Sequence, residues 1–148
     1  MGRTWSLALA ALLLAASGPA AAQSTSPLRL SAAEIAALPS TTGANGLRTA
    51  IILGDPAKAG PYTIAVTYPA HSRVAPHVHR DNRTSVVISG QWFFGYGVVA
   101  EDAATKGVGP GGVFTEPAGQ AHFGHGGDQP TLVYVSGFGP SDTLAAKP

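Results

Sequence analysis

From residue 47 onward, apolar and polar residues alternate with a period of two. In Tyr62-Thr63-Ile64-Ala65-Val66-Thr67-Tyr68 the large apolar residues take the even positions and smaller ones the odd. That is the pattern of a strand with one buried face. Leu47 to Leu53 reads as an earlier strand, closed by the turn Gly54-Asp55-Pro56, and Gly60-Pro61 opens the next. Val86 to Ile88 and Gln91 to Val99 read as two strands parted at Ser89-Gly90. Within the second, Trp92, Phe94 and Tyr96 share one face, and Gly95 and Gly97 leave the other open to close approach or a bend. Gly112 to Glu116 and Thr131 to Phe138 complete the series. Thr41 to Gly46 and Glu101 to Pro110 read as loops, and the chain after Gly139-Pro140 carries no core pattern. The one helical signal is Ser31-Ala32-Ala33-Glu34, a capping box followed by Ile35 and Leu38, which predicts a short helix docked on the outside. Short alternating runs between glycine and proline turns predict an all-β sandwich or barrel.

The first 22 residues follow another logic. Arg3 precedes the uncharged apolar run Leu7 to Ala16, and Ala20-Ala21-Ala22 offers a small-residue cleavage site before Gln23. This is the pattern of a secretory leader, and the run is shorter than the ~20 apolar residues a membrane helix needs. The expected plan is a signal peptide over 1–22, an N-terminal tail and short helix over 23–46, a β-domain over 47–140 and a C-terminal tail over 141–148. The expected location is outside the cytoplasm, periplasmic or secreted. Of the 148 residues, 126 would remain, enough for one core.

Composition narrows the partners. The whole chain has nine basic and eight acidic residues, and loss of Arg3 leaves the two balanced. Such balance argues against nucleic acid and against an anionic membrane surface once the leader is gone. The chain has no cysteine, so export brings no disulfide, and any metal must be held by histidines and carboxylates.

The densest metal-capable cluster is Pro76-His77-Val78-His79. Successive strand side chains point to opposite faces, so His77 and His79 project from the same one and could grip a single ion.

These residues resemble the cupin superfamily. Its first pattern, G-x5-H-x-H-x(3,4)-E-x6-G, is met by His77, His79 and Gly90, with His71 where the first glycine is expected. The glutamate position holds Arg83 in the shorter spacing and Thr84 in the longer. Its second pattern, G-x5-P-x-G-x2-H-x3-N, is met by Gly111, Pro117, Gly119 and His122, with Gly126 for the asparagine. The resemblance implies a cupin-type double-stranded β-helix, or jelly-roll barrel, with the short helix before it. It implies a metal site formed by His77, His79 and His122. Three neutral imidazoles from two strands form a facial set with positions left for water or substrate, and they suit Fe, Zn, Mn, Ni or Cu. The resemblance also implies a homodimer, with Leu28 to Leu38 available for pairing.

Arg83 is the informative departure, because a guanidinium stays charged and has no lone pair for a metal. It could bind an anionic substrate, pair with a carboxylate such as Asp81 or Glu116, or turn outward; in the outward case its charge would weaken cation binding and the metal would be lost. Asp81 and Glu116 are reserve candidates for a fourth ligand. Arg83, Tyr96 and His125 are the candidate substrate-binding residues: Tyr96 could donate to a bound oxygen, and His125 could act as a loop base, although three residues from His122 on a strand it faces the other way. His71 reads as a loop residue. Two functions of different class fit. One is an exported metal-dependent oxygenase, isomerase or hydrolase acting on a small polar or anionic molecule. The other is a non-catalytic module that binds metal or a small ligand.

Overall fold

The computed structural model describes residues 26–43 and 45–147. The leader read over residues 1–22 lies outside them. The first element is the predicted helix, α1 (Ala32–Ala36). Its capping box is complete: Glu34 N–H donates to Ser31 Oγ at 3.3 Å, and Ser31 N–H donates to the Glu34 carboxylate at 2.7 Å.

Eleven strands follow among the described residues: β1 (Ser40–Thr42), β2 (Arg48–Leu53), β3 (Gly60–Tyr68), β4 (Arg73–Val78), β5 (Arg83–Ser89), β6 (Trp92–Tyr96), β7 (Lys106–Val108), β8 (Val113–Glu116), β9 (His122–Gly126), β10 (Thr131–Gly139) and β11 (Leu144–Ala145). They pair antiparallel into two sheets, ordered β1-β2-β3-β10-β5-β8 and β11-β4-β9-β6-β7. The all-β class expected from the alternation, and the jelly-roll that the resemblance implies, are the observed architecture.

The period-two pattern decides what faces inward. On β10 Val133 and Val135 are buried, and on the neighbouring β3 Ile64 and Val66 point the same way. They meet Val87, Trp92, Phe94 and Phe114 in one core between the sheets. The alternate residues, Ala50, Ala65, Leu132 and Tyr134, face outward and line a groove together with Ile35 and Leu38 of the helix segment.

Three short elements carry no pattern that a sequence reading could use. β1 and β7 lie in stretches expected to be loops, beside a 3-10 turn at Asp102–Ala104. β11 lies in the stretch expected to be a tail, and its Leu144 pairs with Val78. Two or three residues are too few for an alternation, so their strand character comes wholly from the neighbour that supplies the hydrogen bonds.

Two turns bind the histidine segments together. Gly119 holds φ +73°, a conformation costly for other residues, and its N–H donates to the His79 carbonyl at 2.8 Å. His71, where the family pattern has glycine, itself holds φ +57°. Gly124 serves by close approach: a Cβ there would lie 2.7 Å from the Trp92 ring and 2.8 Å from the Phe93 carbonyl oxygen. Its missing side chain lets the indole lie flat against β9. The substitution Gly124→Ala is expected to destabilise the fold by about 1–3 kcal/mol through overpacking. Urea unfolding checks this, and a midpoint equal to that of the unaltered chain would mean that Trp92 does not need the space.

Candidate metal centre

The site begins with a register. β4 and β9 run antiparallel with His77 directly opposite His122, and His79 follows β4 at the same parity as His77. The three rings meet with centroids 4.3 to 5.0 Å apart, and one nitrogen from each falls within 4.8 Å of the others. The structure thus brings His77, His79 and His122 together.

Each ring is oriented from behind. Nδ1 of His77 lies 2.8 Å from the Ala75 carbonyl oxygen, Nδ1 of His122 lies 2.9 Å from that of Gln120, and Nδ1 of His79 lies 2.5 Å from that of Asp142. A carbonyl only accepts, so the proton of each neutral ring sits on Nδ1 and the lone pair on Nε2. This is the tautomer that metal-ligating histidines adopt.

Charge state agrees with that role. Burial, helped by the His122 and His79 rings and opposed by the Ala75 hydrogen bond, pushes His77 from 6.5 down to about 4. Burial lowers His122 as well. His122 is almost wholly buried, and its Nε2 has no hydrogen-bond partner among the described residues. A buried polar atom without a partner costs about 1–3 kcal/mol, and a cation removes that cost. The donor set therefore fits a divalent transition metal, without selecting which.

Arg83 lines the same pocket but is tied to the protein. Its side chain is 11% exposed. Nη2 donates to the Asp142 carbonyl at 2.9 Å and to Ser141 Oγ, Nε reaches Asp81 at 3.4 Å, and Nη1 lies 3.0 Å from His79 Nε2. Asp81 is saturated: Tyr62 donates to one oxygen at 2.6 Å and Ser141 to the other at 2.7 Å. Burial and the Asp81 bond together raise the Tyr62 phenol to about 12, so it remains a donor.

Tyr96 is paired with His122 across the β6–β9 ladder, but neither it nor His125 joins the three-ring cluster. Tyr96 is half exposed at the end of β6 and donates to the Thr115 carbonyl at 2.7 Å. His125 points to the other face of β9, stacked on Phe93 with centroids 4.6 Å apart and 4.0 Å from Asp102.

The residue that sequence reasoning kept in reserve is Glu116. It ends β8 directly opposite Arg83 and is buried. Its Oε2 lies 3.2 Å from His79 Nε2 and 3.7 Å from His122 Nε2. Burial alone would raise its carboxyl; contact with His79, the His122 ring and the Arg83 guanidinium outweigh that and hold it below the usual carboxylate range. One available signal was parity, since Glu116 shares its strand face with the buried Phe114. The Asp142 carbonyl left no sequence signal.

These groups form the polar end of a cavity of about 390 Å³. The remainder is mostly apolar, including Leu47, Ile64, Val66, Phe114 and Val135, with Tyr68 stacked on Trp92 at 4.0 Å.

Buried neutral His77 makes a pH prediction for the metal-free protein. Between pH 6.5 and about 4 the unfolded chain binds a proton at this ring that the folded chain resists. Stability should be level with respect to this group above pH 6.5 and fall as pH drops through that window. Urea midpoints from pH 7.5 to 4.5 test it: the decline should be shallower in His77→Gln, and equal declines would exclude a buried neutral ring.

Comparison with known proteins fits this geometry. No curated protein sequence matches the chain. Among solved structures, the polyketide cyclase RemF from Streptomyces resistomycificus is similar at 16% identity and TM-score 0.65, over 83% of this chain and 87% of that one. A sugar phosphate isomerase of the cupin superfamily, SPO2919 from Silicibacter pomeroyi, is similar at 15% identity and TM-score 0.60, over 77% and 80%. A chain from the structures of the DMSP lyases RdDddP and RnDddQII matches at 16% identity and TM-score 0.58 over 70% of this chain, which spans only 54% of that one. At such identities the likeness is one of fold. The family profile described as Cupin matches residues 61–146, more than half of the sequence and all of the site, and the chain belongs to the cupin family.

Proposed function

We propose that this is an exported cupin that holds a divalent transition metal on His77, His79 and His122 and uses it to bind and transform a small molecule. One observation carries the reading: three Nε2 lone pairs, each set by a backbone acceptor behind its ring, converge on one cavity, and that of His122 is buried without a partner. When bound there, the metal would act as a Lewis acid on an oxygen of the ligand.

The lining refines the substrate class. The expectation from the sequence was a small polar or anionic molecule, with Arg83 as one candidate anion binder. With that guanidinium occupied by Asp81, Ser141 and Asp142, the cavity suits a compact, largely apolar molecule with one oxygen-bearing end directed at the histidines. This chain's residues would bind the apolar body on Tyr68 and Trp92, exclude water from the cavity and keep the His77 and His122 rings neutral.

Non-catalytic capture is the second reading, favoured by one feature. Beyond the three rings, the described ionisable groups lining the cavity are Glu116, Arg83 and Tyr68, and burial, with the Glu116 charge adding to it, raises the Tyr68 phenol out of the acid–base range. The structural relatives include a lyase, a cyclase and an isomerase, so the fold does not choose between turnover and binding. Homodimerisation through the N-terminal segment, and the absence of nucleic-acid or membrane partners, belong to the same proposal.

Metal analysis of the protein loaded in turn with Fe, Zn, Mn, Ni and Cu should find about one ion per chain, as three ligands on one centre require. The double substitution His77→Ala/His122→Ala should reduce it to background, and undiminished content in that variant would overturn the site. Small phenols and monocarboxylates titrated into the loaded protein should change Trp92 emission. Product formation from any that bind separates an enzyme from a capture module.

A further inference from the structure

Position 83 is where the family pattern carries its glutamate, and directly across the β5–β8 ladder from Arg83 stands Glu116. We infer that Glu116 is the fourth metal ligand of this site, supplying from β8 the carboxylate that β5 lacks. The inference rests on the three-histidine centre proposed above and adds a residue to it.

Distance supports it. Metal–ligand bonds of about 2.1 Å place adjacent ligand atoms about 3.0 Å apart at right angles and about 3.4 Å apart in a tetrahedron. Glu116 Oε2 lies 3.2 Å from His79 Nε2 and 3.7 Å from His122 Nε2. Its other oxygen, Oε1, accepts from the buried Ser85 hydroxyl at 3.0 Å, which aims Oε2 at the rings.

Unsatisfied chemistry supports it independently. His79 Nε2 lies 3.2 Å from Glu116 Oε2 and within reach of Arg83 Nη1, so it already has partners. Among the described residues the unpartnered nitrogen is His122 Nε2, which faces the same Glu116 oxygen at 3.7 Å. The nearby donor is Arg83 Nη1, 3.0 Å from His79 Nε2 and 3.5 Å from Glu116 Oε2. A cation held between His122 Nε2 and Glu116 Oε2 would give that nitrogen its partner. Asp81 cannot take the role, because both of its oxygens already accept from Tyr62, Ser141 and Arg83.

Charge closes the argument. Arg83 lies between two carboxylates, 3.4 Å from Asp81 and 3.5 Å from Glu116, so one guanidinium faces two anions beside the histidines. One positive charge against two carboxylates leaves a net negative charge at the site for a dication to meet.

The test is cobalt(II) titration of the full-length protein, read by affinity and by the visible ligand-field spectrum, which reports the donor set. Glu116→Gln keeps size and the Ser85 contact; it should weaken binding by about 10- to 100-fold or more and alter the spectrum. Glu116→Asp, which retains a carboxylate, should fall between. The double variant Arg83→Gln/Glu116→Gln removes one charge of each sign. If Glu116 is a ligand, its spectrum stays altered and its affinity stays low. Recovery of both the original affinity and the original spectrum would show that Glu116 acts by charge alone and overturn the inference. An unchanged spectrum and affinity in Glu116→Gln, with binding abolished by His77→Ala, would also overturn it while leaving the three-histidine centre intact. Failure of the unaltered protein to bind cobalt would remove both. Thermal midpoints of the metal-free variants, within a few degrees of the parent, identify properly folded samples.

Discussion

Three hydrogen bonds from ring nitrogens to backbone carbonyls hold this site in its working form. The acceptors belong to Ala75, Gln120 and Asp142, and each fixes Nδ1 as the protonated nitrogen of its ring. Without them the imidazoles could rotate or exchange tautomers, and three inward lone pairs would not coexist. Two acceptors lie within two residues of their histidine, so local backbone geometry supplies them. The third lies across the molecule, and it depends on β11 pairing with β4 to bring Asp142 beside His79. The closing segment of the chain is therefore part of the centre.

That dependence explains how the barrel tolerates an arginine in a buried site. A lone guanidinium of such low exposure would carry a large desolvation cost. Here Asp81 neutralises it, Tyr62 and Ser141 complete Asp81, and the Asp142 carbonyl takes another of its donors. The network turns Arg83 away from the apolar part of the cavity and commits its charge internally. The cavity is left with a mostly apolar wall and a polar floor.

Much of this was legible along the chain. Strand parity placed His77 and His79 on one side, and the alternation over Tyr62 to Tyr68 and Thr131 to Phe138 gave the core its faces. The turn signals at Gly90, Gly111 and Gly119 lie at positive φ. Tyr96 and His125 show the limit of such reasoning. Tyr96 has the parity of Trp92 and Phe94 but stands at the strand end, where the barrel no longer covers it. His125 has the opposite parity to His122, and β9 turns it to the outer face, onto Phe93.

The sequence by itself determined the class of fold, the inward faces of the long strands, the family and the three histidines, because these follow from local periodicity and fixed spacing. Only the tertiary structure decided what surrounds them. Pairing between β5 and β8 set Glu116 against Arg83, and return of the last residues to β4 delivered a carbonyl to His79. Both are contacts between segments far apart in the chain. A backbone carbonyl has no side-chain identity by which a sequence could announce it, and the register between two strands is set by the packing of the whole barrel.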